Sequence, residues 1–449
     1  MKNMTILRAA QCCRGRLCGE NIDAGTELGN VVIDSRCVKP GDLFVAYRGE
    51  KVDGHDYITA ALDRGAACCL AEKAPEGENR AVIAADDVQA ALEAICAEYR
   101  AALDIPVIGI TGSVGKTSAK EMISAVLSQK MSVLKTDGNL NNQIGVPMTL
   151  SRISPENDAA VVEMGISDFG EMSRLAAMVR PTIAVYTVIG HAHLEFLHDL
   201  DGVMRAKGEM LDYMADDAPV IVNGDDAALR ALECRQKKLM FGLTSDCDVR
   251  AENIKCVSAA ASECDIVYGE RRVHVCIPAF GRHMVYAALE GAAVGFLMGL
   301  SDAEIAAGIA SYETVGRRAA VSDTGYLTLI DDCYNANPDS VKSGVDSLMR
   351  LPGRHICILG DMLELGENEK EMHREVGEYA VRKGAELVIC CGALAESIAQ
   401  GAGKHGMYFK NRAELISALP KLIEKGDAVL VKASHSMRFD EISEELKRL

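Results

Sequence analysis

A glycine-rich segment of the chain has the residue types and spacing of a loop that holds phosphate groups. Residues 109–117 read GITGSVGKT and lie between a short apolar run and a helix predicted over residues 117–130. Glycines let backbone N–H groups converge on phosphate oxygens, and a helix N-terminus adds partial positive charge. Lys116 could then reach the β- and γ-phosphates, and the Thr117 hydroxyl could bind Mg²⁺. The sequence predicts a nucleoside triphosphate site.

This loop leaves the class of nucleotide-binding protein open. The usual pattern has a glycine five residues before its Gly-Lys pair, and here Ile110 occupies that position. Kinases, motors, switch GTPases and ligases all use such loops. The tetrapeptide Asn-Lys-x-Asp, by which switch GTPases bind guanine, is absent from the chain. The pattern therefore makes a GTPase switch a less favoured reading and does not distinguish among kinases, motors and ligases.

Four further polar residues are candidates for the same site. Glu163 ends an apolar run, and His191 and His193 follow another. In parallel sheets, ligands bind at the carboxyl ends of the strands. Glu163 is accordingly either a Mg²⁺ ligand or a solvated strand end, and the histidines are either metal ligands or structural. Lys207 lies in a helical pattern, and composition alone gives no reason to regard it as more than a solvated lysine.

These candidates must be positioned by an α/β architecture, because short apolar runs alternate with helical patterns along most of the chain. A β-rich stretch at residues 248–277 interrupts the alternation. Helices are predicted over residues 88–102 and 284–297, besides the one that follows the phosphate loop. Strands are predicted at residues 107–110, 159–163, 183–188, 220–222, 327–330, 355–359, 387–391 and 428–432.

The 449 residues are too many for one ordinary core and predict two or three domains; the pattern along the chain separates three. Residues 1–103 form a loop-rich, small α/β domain. Residues 104–313 form a central domain with the phosphate loop on a parallel sheet. Residues 314–449 form a doubly wound, Rossmann-like domain with its binding crevice at the strand ends.

The overall composition limits the classes of partner that the protein is expected to bind. A formal net charge of -17 repels nucleic acid and anionic membranes, so an anionic substrate would need local basic residues or metal ions. We expect neither a membrane-spanning segment nor a signal peptide, because no apolar run is long enough. The 16 cysteines contain no Cys-x-x-Cys, which favours buried free thiols in a reducing compartment, the cytoplasm.

Several motifs, in order and over nearly the whole chain, resemble those of the Mur ligase family. The UDP-sugar domain of that family is similar to residues 34–36 (DSR), 39–46 (KPGDLFVA) and 53–56 (DGHD). The family's variant of the phosphate loop is similar to residues 111–117. The C-terminal signature resembles residues 331–338 (DDCYNANP). Residues 138–147 (GNLNNQIGVP) and 360–366 (GDMLELG), with His373, resemble the dipeptide-adding branch.

The resemblance implies an ATP-dependent ligase of peptidoglycan precursor synthesis. It would join D-alanyl-D-alanine to the terminal carboxylate of UDP-N-acetylmuramoyl-tripeptide through an acyl phosphate, releasing ADP and phosphate. Two Mg²⁺ ions, a monomer, and no nucleic acid or membrane partner are expected. The alternatives are a diaminopimelate- or lysine-adding ligase, a folylpolyglutamate synthase-like ligase, or a nucleotide-switched binding protein without catalysis.

The resemblance also implies residue roles. Lys116, His193 and Lys207 are expected to be catalytic, with Lys207 carbamylated. Thr117 and Glu163 would hold one Mg²⁺, and His193 and the carbamate of Lys207 a second. Nucleotide contacts are expected from Gly112, Ser113, Gly115, Lys116, Thr117, Ser118, Asn142, Arg317, Asp332 and Asn335. Substrate contacts are expected from Ser35, Arg36, Asn141, Asn142, Tyr334 and Asn337.

Two segments depart from the pattern of the family. The family has His-Asn-x-x-Asn where this chain has residues 283–287 (HMVYA), so the asparagine that helps to place adenine is missing. The family has Lys-Gly-Ser-Arg where this chain has residues 432–435 (KASH). The first departure leaves open how adenine is held, with Met284 and Ala287 in place of both asparagines, and the second predicts a weaker or pH-sensitive contact with an anion.

Overall fold

The computed structural model describes residues 1–20, 22–49, 51–258 and 261–449. The chain forms three α/β units, each built on its own sheet. No helix in the described part of the chain combines the length and the apolar character needed to cross a membrane.

The first unit is a five-stranded sheet with three helices. Its strands are β1 (Arg16–Cys18), β2 (Val31–Val32), β3 (Leu43–Val45), β4 (Cys68–Ala71) and β5 (Val82–Ala84), and its helices are α1 (Ile6–Cys12), α2 (Ile58–Asp63) and α3 (Val88–Ala101). The strand order is β1-β5-β4-β3-β2, with β1 antiparallel and the other neighbours parallel. Helix α3 joins this unit to the next, since the Gln89 amide donates to the Gln143 carbonyl at 3.0 Å and Glu93 pairs with Arg174 at 2.6 Å.

The central unit carries the phosphate loop on a nine-stranded sheet. Its strands are β6 (Val107–Thr111), β7 (Val133–Lys135), β8 (Ala159–Glu163), β9 (Ile183–Tyr186), β10 (Pro219–Asn223), β11 (Lys237–Gly242), β12 (Val249–Ser258), β13 (Ala261–Tyr268) and β14 (Arg271–Ile277). Its helices are α4 (Lys116–Leu127), α5 (Gly145–Ser151), α6 (Glu171–Val179), α7 (Leu194–Leu197), α8 (Leu200–Gly208), α9 (Ala227–Arg230), α10 (Arg282–Leu297) and α11 (Asp302–Ala310).

The order of this sheet is β14-β13-β12-β11-β10-β9-β6-β8-β7, so the strand before the phosphate loop lies between β9 and β8. Strands β6 to β12 pair in parallel, and β12, β13 and β14 pair in an antiparallel manner. The antiparallel part corresponds to the β-rich stretch predicted at residues 248–277. Of that stretch, Ala259 and Ala260 lie outside the described residues. Strands β6, β8 and β9 are buried along their whole length, as expected of strands covered on both faces.

Helix α10 packs closely against α4, the helix that follows the phosphate loop. A Cβ atom at Gly291 would lie 2.9 Å from Cγ of Met122, and one at Gly295 would lie 2.9 Å from Cγ1 of Val126. Glycine at both positions therefore lets α10 approach α4. The approach fixes the N-terminal half of α10 beside the nucleotide site.

The third unit is a six-stranded sheet with helices on both faces. Its strands are β15 (Ala320–Asp323), β16 (Thr328–Asp331), β17 (His355–Gly360), β18 (Leu387–Cys391), β19 (Gly406–Phe409) and β20 (Ala428–Lys432). Its helices are α12 (Pro338–Leu348), α13 (Glu369–Lys383), α14 (Ala395–Ala402), α15 (Arg412–Leu422) and α16 (Asp440–Leu446). The order is β15-β16-β20-β17-β18-β19, with β15 as an antiparallel edge strand.

The predicted fold class is confirmed: three α/β units occur, the last of them doubly wound. The predicted strands and helices are present with ends shifted by a few residues; α10, for example, begins at Arg282 instead of Met284. In the second and third units, strands β7, β11, β15 and β19 were not predicted. All 16 cysteines are free, and nine of them are buried, whereas Cys37, Cys256 and Cys276 are exposed.

Candidate active site

A cleft of about 1650 Å³ lies between the central and C-terminal units. The phosphate loop, Glu163 and the start of α10 line it on the central side. On the other side it is lined by the segment after β16, the start of α12 and Lys432. The carboxyl ends of strands from two sheets therefore face one space, where parallel sheets bind ligands.

The phosphate loop is fixed by its glycines and by the segment after β9. Gly112 has φ of +148° and Gly115 of +89°, values that side chains disfavour, and a Cβ atom at Gly112 would lie 2.0 Å from Oγ1 of Thr187. The Lys116 ammonium donates to the Gly112 carbonyl at 2.7 Å, and the Ser113 hydroxyl donates to the Gly190 carbonyl at 3.0 Å. Burial lowers the pKa of Lys116, partly offset by the charge of Glu163.

Glu163, at the end of β8, lies beside the first turn of α4. Its Oε2 accepts a hydrogen bond from the Thr117 hydroxyl at 2.9 Å, and its Oε1 accepts one from the Asn141 amide at 2.7 Å. The Lys120 ammonium lies 4.0 Å from the same carboxylate, and both side chains are almost fully buried. Glu163 is therefore not a solvated strand end.

The pairing of a threonine hydroxyl with a carboxylate provides the hard oxygen donors that Mg²⁺ prefers. Within the described residues, no group of three or more His, Cys, Asp and Glu side chains could hold a metal ion. A cation beside Thr117 and Glu163 would thus take its other ligands from phosphate oxygens and water, as Mg²⁺ commonly does. The residues present fit such an ion.

Both candidate histidines contact the C-terminal unit. The backbone N–H of His191 donates to Oδ2 of Asp339 at 2.7 Å, and its Nδ1 lies 3.0 Å from the same oxygen. This hydrogen bond raises the pKa of His191, and Asp339 has a lowered pKa in turn. His193 lines the cleft, and its Nδ1 lies 2.5 Å from Oε2 of Glu364.

Lys207 lies in α8 and is 1% exposed, so it is not a solvated lysine. Among the described residues, none forms a hydrogen bond or ion pair with its side-chain amine. Burial, reinforced by the positive charge of Lys116, lowers the pKa of Lys207 well below that of an ordinary lysine. Both effects favour the neutral amine near the phosphate loop, although Lys207 is not among the residues that line the cleft.

The C-terminal side of the cleft is built around Asp332 and Lys432. The Lys432 ammonium lies 2.5 Å from Oδ2 of Asp332 and also donates to the Asn335 carbonyl at 3.0 Å. The ring of Tyr334 contacts both the Arg318 guanidinium, 3.6 Å from its centroid, and the His435 ring, 5.5 Å away. His435, at the position where the family has arginine, therefore packs against an aromatic ring.

The structure brings most of the sequence-predicted residues into this cleft. They are Ser113, Gly115, Lys116, Thr117, Ser118, Asn141, Asn142, Glu163, His193, Asp332, Tyr334, Asn335 and Asn337. Gly112 and Lys207 lie next to it without lining it. Ser35 and Arg36 lie in the first unit, outside the cleft, where Arg36 pairs with Asp34 at 2.7 Å.

Arg317 lies outside the lining of the cleft, and its nucleotide contact stays a prediction. Its guanidinium is held by Asp331 at 3.0 Å and Glu444 at 2.8 Å and does not line the cleft. Its neighbour Arg318 lines the cleft instead. Two adjacent arginines carry no sequence signal that distinguishes which one faces the ligand. Sequence reasoning also did not identify Asp225 and Glu290, which line the opposite side.

Three family models match the chain in succession. The Mur ligase family catalytic domain matches residues 27–109, the Mur ligase middle domain residues 110–295, and the Mur ligase glutamate ligase domain residues 316–435. Together these models span the three units and both sides of the cleft.

Full-length relatives agree with these models. The chain is 32% identical to the UDP-N-acetylmuramoyl-tripeptide--D-alanyl-D-alanine ligase of Bacillus subtilis, over 99% of both chains. Its structure superposes on that of MurF from Acinetobacter baumannii with a TM-score of 0.89 at 27% identity, covering 99% of both chains. It superposes on the MurF ligase from Thermotoga maritima in complex with ADP with a TM-score of 0.84 at 28% identity, covering 94% and 97% of the two chains. From its sequence and its structure alike, the chain belongs to the Mur ligase family.

Proposed function

We propose that this chain is an ATP-dependent ligase that joins D-alanyl-D-alanine to the terminal carboxylate of UDP-N-acetylmuramoyl-tripeptide. ADP and phosphate are the other products. The observation that carries the proposal is one cleft that holds both the phosphate loop and the C-terminal segment of Asp332 and Tyr334, in a chain similar from end to end to a ligase of that name. The same match favours this reaction over the amino-acid-adding alternatives.

The chemistry requires activation, because a carboxylate and an amine do not condense in water. The tripeptide carboxylate attacks the γ-phosphorus of ATP, ADP leaves, and an acyl phosphate forms. The dipeptide amine then attacks the acyl carbon, phosphate leaves, and the amine loses a proton. Both partners of the first step are anionic, so Lys116, half-buried in the phosphate loop and lining the cleft, stabilises their approach.

Thr117 and Glu163 would hold a Mg²⁺ ion at the phosphates. When bound, this ion neutralises charge on the phosphate oxygens. The Asn141 amide holds the other carboxylate oxygen of Glu163, and the Lys120 ammonium lies 4.0 Å from the oxygen that accepts from Thr117. His193 would hold a second ion, since Glu364 orients its ring through Nδ1 and leaves Nε2 available as a ligand.

Lys207 is carbamylated in the active enzyme under this proposal. Carbamylation requires a neutral amine, and burial together with the charge of Lys116 favours that form. An ammonium group has three donors and no acceptor, whereas a carbamate has two anionic oxygens that suit Mg²⁺. The added negative charge would also offset the buried positive charge of Lys116.

The first unit binds the UDP end of the substrate in this scheme. Ser35 and Arg36 follow the Asp34 cap of a short 3₁₀ turn, and Arg36 extends into solvent with its side chain 82% exposed. An exposed guanidinium can pair with a diphosphate, which a protein of net charge -17 would otherwise repel.

The test is product analysis with ATP, D-alanyl-D-alanine and each UDP-tripeptide, carrying lysine or diaminopimelate at the third position. We expect a pentapeptide product by mass spectrometry with one ADP and one phosphate per peptide bond. Formation of AMP and pyrophosphate would exclude the acyl phosphate route. Product with a single amino acid but none with the dipeptide would support an amino-acid-adding ligase, and nucleotide binding without any product would support a switch protein.

A further inference from the structure

The cleft has an end suited to the base of a nucleotide, two strands away from the phosphate loop. The Thr187 hydroxyl, after β9, donates to the Val114 carbonyl of the loop at 2.5 Å, and the Asn223 amide, at the end of β10, donates to the Thr187 carbonyl at 3.1 Å. Two strand spacings amount to about 10 Å, which is within the reach of a nucleotide whose phosphates lie on the loop. The base then lies between residues 223–227 and α10.

Helix α10 presents one face to this end of the cleft. His283, Tyr286, Ala287 and Glu290, spaced three and four residues apart, line the cleft and share one side of the helix. The Tyr286 hydroxyl is already engaged, since it donates to Oδ2 of Asp225 at 2.8 Å. Ala287 has no polar group and leaves space beside the base.

Glu290 is an unengaged polar side chain next to that space; His283, on the same face and one turn before Ala287, also has a ring nitrogen, Nδ1, without a partner among the described residues. It is 3% exposed, and within the described residues its carboxyl group has no hydrogen-bond or ion-pair partner. Burial raises the pKa of Glu290 well above that of an ordinary glutamic acid, which favours the neutral form. Side chains on a helix lean towards its N-terminus, so Glu290 lies over the turn that carries Ala287.

A buried carboxyl group without a hydrogen-bond partner lowers the stability of the fold unless a ligand supplies the missing hydrogen bonds. Adenine presents the 6-amino group as donor and N7 as acceptor on one edge, and asparagine and glutamine side chains recognise that edge with two hydrogen bonds. A carboxylic acid offers the same pair, a carbonyl acceptor and an O–H donor. Guanine presents two acceptors on this edge, which one O–H donor cannot satisfy.

We propose that the Glu290 carboxylic acid recognises the adenine of ATP, with its carbonyl accepting from the 6-amino group and its O–H donating to N7. The proposal rests on ATP being the nucleotide of the proposed function. The polar contact that an asparagine at position 287 would make then comes from one helical turn further along α10.

The test compares Glu290→Gln, Glu290→Ala and the double variant Ala287→Asn/Glu290→Ala, with Glu270→Ala on the surface as control. Glu290→Gln keeps a donor and an acceptor, so we expect a KM for ATP within about 3-fold of the unchanged chain. Glu290→Ala removes both, and we expect the KM for ATP to rise about 10-fold or more, from the loss of two hydrogen bonds to one base edge. The KM for the UDP-tripeptide stays unchanged, and the double variant regains ATP affinity.

A second measurement separates recognition from folding. The unchanged chain should bind ADP more tightly than 7-deaza-ADP or GDP by calorimetry, and Glu290→Ala should lose the preference for ADP over 7-deaza-ADP. Equal binding of ADP and 7-deaza-ADP by the unchanged chain would overturn the proposal, as would an unaltered preference in Glu290→Ala. These binding measurements need no turnover, so a failure of the proposed ligase reaction would be visible separately, as absence of the pentapeptide product.

Discussion

Nδ1 of His193 in the central unit lies 2.5 Å from Oε2 of Glu364 in the C-terminal unit. The backbone supports the same contact, because the N–H of Glu195 donates to the Glu364 carbonyl at 3.2 Å. His193 itself has a positive φ of 56° and is the N-cap residue immediately before α7. The orientation of a histidine proposed to act at the phosphates therefore depends on the docking of the C-terminal unit.

The first prediction concerns this contact. Glu364→Gln keeps an acceptor for the ring N–H but removes the charge, so we expect kcat/KM to fall about 10-fold, the lower range for partners that orient a metal-binding histidine. Steady-state kinetics with ATP and UDP-tripeptide measure it. Glu367→Gln, on the same exposed segment, is the matched control and should be unaffected. Equal activity of both variants would contradict an orienting role for Glu364.

The second prediction concerns Lys116. Lys116→Ala removes the ammonium that stabilises charge at the transferring phosphate, and we expect kcat to fall by on the order of 100-fold or more. Because the ammonium is half-buried and no core hydrophobic contact is lost, the melting temperature should change little. Circular dichroism and ADP release measure the two effects. Lys73→Ala, at an exposed position, serves as control; retained turnover in Lys116→Ala would exclude the assigned role.

The third prediction concerns the first unit. Arg36→Ala should raise the KM for the UDP-tripeptide several-fold and leave the KM for ATP unchanged, because Arg36 lies outside the cleft that holds the phosphate loop. Arg64→Ala, an exposed arginine of the same unit, changes net charge equally and is the control. Equal effects of Arg36→Ala on both substrates would contradict the assignment.

The fourth prediction is a pH dependence of the contact between His191 and Asp339. Because the folded-state pKa of His191 is raised, its contribution to stability is fully present below its ordinary pKa of 6.5 and is lost as pH rises through the higher folded value. The lowered pKa of Asp339 sets the other limit: its contribution is lost as pH falls through a folded value below 3.8.

We therefore expect the difference in melting temperature between the unchanged chain and His191→Gln to be larger at pH 6 than at pH 9. The pair is partly exposed, so its contribution should not exceed about 1 kcal/mol. His405→Gln, which contacts only a backbone carbonyl at the surface, is the control. A difference that grows towards pH 9 would show that protonation of His191 does not stabilise the contact.

Much of the site follows from sequence because its parts are local or lie at strand ends. The phosphate loop carries its own spacing, and Glu163 ends a fully apolar strand, so the sheet places it at the ligand edge. Arg318 and Glu290 were not predicted, since the facing side of a loop and the partner of a buried carboxyl depend on tertiary packing. Strands β15 and β19 lie at sheet edges, where one side is solvated and the apolar pattern is weak.

The burial of Lys207 also depends on tertiary packing and could not be predicted from the sequence. Lysine is seldom fully buried without a partner, and composition alone gave no reason to expect it here. Once the fold places the amine near Lys116 and away from water, the neutral form is favoured, and this is the form that reacts with CO₂. Lys207→Arg keeps a positive charge that cannot be carbamylated, so we expect severe loss of turnover with the fold intact.

Lys207→Ala should be equally inactive but partly rescued by small carboxylates such as acetate, which can occupy the vacated space and supply anionic oxygens. Lys238→Ala, which removes a lysine that donates only to backbone carbonyls, is the control and should show no dependence on acetate. Mass spectrometry of the native protein should also detect a CO₂ adduct that is lost on removal of bicarbonate. Near-normal activity in both Lys207 variants would show that the amine has no role in the reaction, because neither arginine nor alanine can supply a carbamate.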